Sequence, residues 1–83
     1  MSIKLEMYYL MVEKAKTKKN GVYSMKGNCY LVFNNQLKGF ADYFGNVYEV
    51  VCGFGVDKGK SKDRFEARDV LKGYLKQYDK KTN

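Results

Sequence analysis

The 83-residue chain contains no histidine, no tryptophan and no proline. Histidine is the side chain whose ordinary pKa lies nearest neutrality. Without it a general base would have to be a carboxylate, lysine, tyrosine or cysteine with a shifted pKa, so the chain is expected not to be an enzyme. Metal sites lose their commonest nitrogen ligand for the same reason. Cysteine, aspartate and glutamate form no cluster at ligand spacing, so neither a metal nor a cofactor is expected. The two cysteines, Cys29 and Cys52, have neither the density nor the spacing of a disulfide framework. Each lies in an apolar run and reads as a reduced, buried thiol, with a bridge between neighbouring strands left open in an oxidising environment. No segment approaches the roughly 20 apolar residues that span a bilayer, and the N-terminus lacks a signal-peptide core and cleavage site. A soluble, cytoplasmic protein without a membrane partner is expected.

Arginine is scarce as well. Sixteen basic residues stand against nine acidic ones, a net charge of +7, and all but Arg64 and Arg68 are lysines. Lysine is a hydrated point charge suited to general attraction, whereas the planar guanidinium reads phosphates and bases by geometry. The excess therefore points to an anionic partner met with little sequence preference. Abundant Lys, Asn, Tyr and Phe without proline also suggest an A/T-rich genome, and a short chain of this kind suggests a phage or plasmid accessory gene.

The length suits one domain, residues 1–83, near the size at which a single core just suffices. Hydrophobic residues make up 45% of it, enough to exclude general disorder. The narrow margin makes the chain a candidate for dimerisation.

Residues 2–19 admit two periodicities. Ile3, Leu5, Met7, Tyr9 and Met11 alternate as in a strand. Ile3, Met7, Leu10, Met11 and Ala15 fall on one helical face, with Glu6, Glu13 and Thr17 opposite. Ser2 as a cap, lysines in the last turns and the Asn20-Gly21 stop favour the helix. The rival makes Asn20-Gly21 a hairpin turn, giving a five-stranded sheet or small barrel. From Val22 to Phe54 the pattern is that of strands separated by Gly27-Asn28, Asn34-Asn35-Gln36 and Gly45-Asn46, with Val47 to Phe54 as one run. Gly39 marks a bulge or bend. Residues 53–60 read as a glycine-rich basic loop. Ala67, Val70, Leu71, Tyr74, Leu75 and Tyr78 recur at helical spacing, opened by an Asp63/Glu66 capping box, with Gly73 off the stripe and residues 79–83 a frayed tail. The fold expected is α+β: an antiparallel three- to four-stranded sheet, a C-terminal helix packed on one face and an N-terminal helix.

Gly59-Lys60-Ser61 sits where a phosphate-cradling loop would open a helix. Such a loop needs an earlier glycine at the position held here by Phe54, with Gly53 and Gly55 each one residue out of place, so nucleotide hydrolysis is excluded. Gly59-Lys60-Ser61-Lys62, followed by a helix after several strands, resembles the end of a double-stranded-RNA-binding domain, a likeness covering about a quarter of the chain. That family grips phosphates with lysines at this helix N-terminus. The chain departs from the pattern at Asp63 and Glu66, where lysines would stand, at Phe65, where a small alanine would pack, and in lacking the family's histidine-bearing loop.

Two basic clusters are the candidate anion sites: Lys14, Lys16, Lys18 and Lys19, and Lys58, Lys60, Lys62 and Arg64. Tyr23, Tyr43 and Tyr48 are candidates for stacking or interface contacts, since eight tyrosines exceed what one small core can hold. The expectation is a small binding module that meets nucleic-acid phosphates through lysines gathered on one surface. The alternative is a phage-type inhibitor of a host defence complex, such as a CRISPR effector or restriction enzyme, acting through an acidic or nucleic-acid-handling protein surface.

Overall fold

The structure, a computed structural model, describes residues 4–82. It is an α+β arrangement in which helix α1 (Leu5–Ala15) precedes five strands and helix α2 (Arg64–Thr82) follows them. The strands β1 (Gly21–Met25), β2 (Asn28–Phe33), β3 (Gln36–Ala41), β4 (Asn46–Val51) and β5 (Phe54–Lys60) form one antiparallel meander in sequence order.

Five strands rather than three or four follow from a turn hidden in an apolar run. Val47 to Phe54 does not form one strand: Cys52 and Gly53 both take positive φ, 51° and 82°, and reverse the chain. Two-residue hairpins favour positive φ at both central positions, because that twist matches the strands on either side. Lys26-Gly27 and Asn34-Asn35 turn the chain in the same way. The residues after Gly53, expected as a flexible basic loop, therefore pair with β4 as β5. Cys52 lies exposed in the turn rather than buried, while Cys29 is buried; both thiols are free.

The two helices occupy opposite faces of the sheet. On β2 the alternation of side chains sends Tyr30 and Val32 to the α1 side and Cys29 and Leu31 to the α2 side. That double burial explains why residues 29–33 read as an unbroken apolar run. The α1 layer packs Tyr8, Met11 and Ala15 on Tyr30, Val32, Leu37, Phe40 and Tyr48. The expected stripe is thus rotated: Tyr8 faces inward and Leu10 outward. Ser2, proposed as the cap, lies outside the described residues, and Lys4 at the cap position makes no side-chain bond to the helix. The Tyr8 hydroxyl donates to the Gly53 carbonyl at 2.9 Å, tying α1 to the β4–β5 turn.

On the other face α2 buries the stripe read from its spacing, from Ala67 through Leu71 to Tyr78. A register shift between Leu31 and Val32 leaves Lys38 as the extra residue of β3, one position from the glycine expected to mark a bulge. A Cβ on Gly39 would lie 3.0 Å from the Tyr48 carbonyl and 3.3 Å from a Leu71 methyl, so glycine there lets α2 approach the sheet. At its far end α2 continues to Thr82 instead of fraying at Asp79. Near that end the Tyr78 ring stacks on Phe33 at 5.5 Å, and its hydroxyl donates to Glu49 at 2.7 Å.

Leu71 is fully buried, so Leu71→Ala is expected to lower unfolding free energy by about 2–4 kcal/mol in urea titration. Burial and the bond to Glu49 push the Tyr78 phenol up from 10.0 to about 12. The folded state therefore holds this proton more tightly than the unfolded chain. Its contribution is complete below pH 10 and is lost as pH rises from 10 towards 12. Denaturant titrations between those limits should show a smaller alkaline loss in Tyr78→Phe than in the parent; Tyr8, Tyr30 and Cys29, raised mainly by burial, act in the same direction.

Candidate cation–aromatic site

The two ends of the sheet carry different chemistry. One end holds the segment after α1, the Asn34-Asn35 turn and the Cys52-Gly53 turn. The Asn35 amide donates to the Lys18 carbonyl at 2.8 Å, and the Asn34 N–H donates to the Asn20 side chain at 2.8 Å. The other end holds the Lys26-Gly27 turn, the loop from Asp42 to Gly45 and the segment from Lys60 into α2. A six-residue strand places these ends about 20 Å apart.

The lysines therefore do not share one surface. Lys14, Lys16, Lys18 and Lys19 belong to the first end; Lys60, Lys62 and Arg64 belong to the second. Lys16 pairs with Glu13 at 3.1 Å, and the Lys18 ammonium lies 5.1 Å from the centre of the Tyr23 ring. Lys58, midway along β5, pairs with Glu49 at 3.5 Å. The N-terminus of α2 is also not an open phosphate site. Asp63 accepts the Glu66 N–H at 2.9 Å and Glu66 accepts the Lys62 N–H at 3.1 Å, so the expected capping pair fills it with its own carboxylates. The grip implied by the likeness to double-stranded-RNA-binding domains is not built here.

The three candidate tyrosines separate in the same way. Tyr48 is only 6% exposed and stacks on Phe40 at 4.9 Å, so it packs in the core rather than on the surface. Tyr23 is half-buried against Tyr30, with its hydroxyl bonded to the Lys19 carbonyl at 2.7 Å. Tyr43 alone is well exposed, beside Arg64.

That pair anchors a row of rings and guanidinium groups. Phe44 meets Tyr43 edge-on at 5.7 Å. The Arg64 guanidinium carbon lies 4.7 Å from the centre of the Tyr43 ring and 5.0 Å from that of Phe65, and Arg68 lies 5.9 Å from Phe65. All three rings are more than half exposed, Phe44 at 67%. Among the described residues neither arginine forms an ion pair or donates a hydrogen bond to protein. Contacts of this kind with rings consume none of the guanidinium hydrogen-bond donors.

Below the row is a cleft of about 270 Å³ lined by Ser24, Gly27, Cys29, Arg64, Phe65 and Arg68. Burial pushes the Cys29 thiol up, while Arg68, Arg64 and Lys72 pull it the other way, a measure of the positive field converging there. Gly27 belongs to this geometry: a Cβ there would come within 2.8 Å of the Tyr43 ring.

The row is positioned by one buried carboxylate. Asp42 is 4% exposed and accepts N–H bonds from Phe44 at 2.9 Å and Asn46 at 3.0 Å, and the Asn46 amide at 2.7 Å. These bonds hold Tyr43 and Phe44 outward. Gly45, at φ 96°, accepts the Ser61 N–H at 2.8 Å and packs so closely on Ser61 and Asp63 that a Cβ would sit 2.9 Å from the Ser61 carbonyl. The loop and the start of α2 are thereby locked together, with Tyr43 against Arg64. Phe44, Phe65 and Arg68 are absent from the residues singled out by sequence. Their available signal was the placement of both arginines of the chain at helical spacing, four residues apart, around a phenylalanine that is off the buried stripe.

No protein-family model matches the chain, and comparisons with curated proteins and with solved structures likewise find no match. Among the described residues there is no group of metal-ligating side chains, and no helix is long and apolar enough to cross a membrane.

Asp42→Ala strands buried N–H groups and releases the loop. It should lower stability by about 2–4 kcal/mol, and the Tyr43 ring resonances should lose the ring-current shifts of a fixed neighbour in NMR spectra of the folded fraction.

Proposed function

We propose that this protein is a non-enzymatic module of the cytoplasm that binds single-stranded nucleic acid at the α2 end of the sheet, with little sequence preference. The observation that carries the reading is the alternation of exposed rings with arginines that have no acidic partner among the described residues. Bases have faces that stack on Phe44, Tyr43 and Phe65, while the in-plane donors of Arg64 and Arg68 meet phosphates. Lys26, Lys60 and Lys62 border the same end and add sequence-independent attraction. A duplex, whose bases are already stacked, has less to offer the rings, which favours a single strand.

The same residue types dominate the centres of protein interfaces. That supports the second reading, in which a phage-encoded inhibitor occupies an acidic or nucleic-acid-handling surface of a host defence complex.

Fluorescence anisotropy with a mixed-sequence single-stranded oligonucleotide tests the first reading. Micromolar affinity at low salt is expected, falling with a log–log slope of about −0.7 per phosphate contacted, hence about −2 to −4 in total. Arg64→Ala with Arg68→Ala should weaken binding about tenfold or more and flatten the slope by about 1–2. Alanine at Lys16 and Lys18, on the far end, should change affinity less than about twofold. Absence of micromolar binding at low salt overturns the nucleic-acid reading and leaves the inhibitor reading, to be pursued with nuclease-treated host lysate.

A further inference from the structure

We infer that β5 is a self-association edge through which two copies of the chain join their sheets into one. Of the two outer strands, β1 has α2 packed against it, whereas the main packing of α2 falls on β1 to β4 and, among the described residues, β5 is exposed along nearly all its length. On the α2 face β5 presents Phe54, exposed at 74%, and Val56, with Val51 beside them on β4. A bare edge with an apolar face is the arrangement soluble proteins usually blunt. Here only its second half is blunted: Gly59, at φ 101°, donates its N–H at 2.8 Å to the Asp57 carboxylate, beside a register shift opposite Val47.

The pairing between β4 and β5 decides which groups remain free. Val51 and Phe54 flank the two-residue turn and form its hydrogen-bonded pair, so Glu49 and Val56 form the next one. Phe54 and Val56 thus point their backbone groups at β4, and Gly55 and Asp57 point theirs outward. An antiparallel two-fold partner must oppose residues of the same face. Centring the axis on Asp57 would bring two carboxylates together. Centring it on Gly55 would draw the turn residue Gly53 into the ladder. Centring it on Val56 lets Gly55 and Asp57 of each copy exchange bonds with Asp57 and Gly55 of the other. It then sets Val56 against Val56 in the close, non-hydrogen-bonded position. Phe54 faces Lys58 of the second copy, whose charge is already balanced by Glu49.

The joined edges bring Val51, Phe54 and Val56 of both copies into one apolar band between the two α2 helices. Edge pairing with contacts among these side chains would bury less than about 1,200 Å², the range of weak and transient contacts, so a weak association is expected. Each copy carries a net +7, so added salt should strengthen this contact by screening the repulsion. Nucleic-acid binding responds in the opposite direction, which keeps the two readings separable.

Sedimentation equilibrium of the full chain from about 10 µM to 1 mM tests the inference. The expected mass rises with concentration from 9.6 kDa towards twice that value, more readily at about 0.5 M salt than at 0.05 M. Val56→Lys should weaken association at least tenfold while leaving the far-ultraviolet circular dichroism and thermal midpoint close to those of the parent. The axis position is read by disulfide capture in a Cys52→Ser background. Val56→Cys should cross-link to a dimer under mild oxidation, and Asp57→Cys should not. A monomer throughout the concentration range, an unchanged association constant in Val56→Lys, or equal cross-linking by both cysteine variants overturns the inference.

Discussion

A sheet whose central strands are apolar on both faces must be covered twice, and the rest of this structure depends on that requirement. Residues 29–33 have no polar side to give to water, so each face needs a helix. The described residues supply two. Met11 and Ala15 close one face, and Ala67 and Leu71 close the other, all essentially without exposure. Each layer is thin, which is why a close approach at Gly39 and single bonds such as Tyr8 to Gly53 and Tyr78 to Glu49 matter to the docking of each helix. The covering runs out at β5 and at the α2 end of the sheet, and there the surplus of aromatic side chains remains outside.

The same economy governs charge. Nine acids accompany sixteen bases, and several acids are committed to structure. Asp42 organises its loop, Asp63 and Glu66 close the first turn of α2, Asp57 holds the bend of β5, and Glu49 receives both Tyr78 and Lys58. The lysine clusters stand at opposite ends of the strands. The two arginines stand together, and the rings around them contact their guanidinium groups without consuming their hydrogen-bond donors. A scarce residue type concentrated at one place carries more information about binding than an abundant one spread over the surface.

Some of this was legible in residue order. The α2 stripe and its Asp63/Glu66 cap were readable because helix period and capping are local. Asn34-Asn35 was readable because its residues tolerate positive φ. Arg64 and Tyr43 are both candidates by sequence, one as a cation and the other as an exposed ring, with nothing in the order of residues to join them. The turn at Cys52-Gly53 was hidden because cysteine is not a turn former and apolar residues flank it. Its concealment cost a strand and turned β5 into an expected loop. Tyr48, a candidate for stacking, is core instead, because strand alternation predicts one solvent face whereas here both faces are buried at that position.

What residue order by itself determined is the class of chemistry. There is no histidine, a cationic excess, two amphipathic segments, and more rings than one small core can hold. These are properties of composition and short-range period. Which cations and rings meet was decided only by tertiary structure. The loop carrying Tyr43 and Phe44 lies some twenty residues before Arg64 and Phe65, and no local preference relates them. The buried Asp42 carboxylate and the glycine contact at Gly45 bring them side by side, because hydrogen bonds satisfied away from water leave that loop one arrangement against α2.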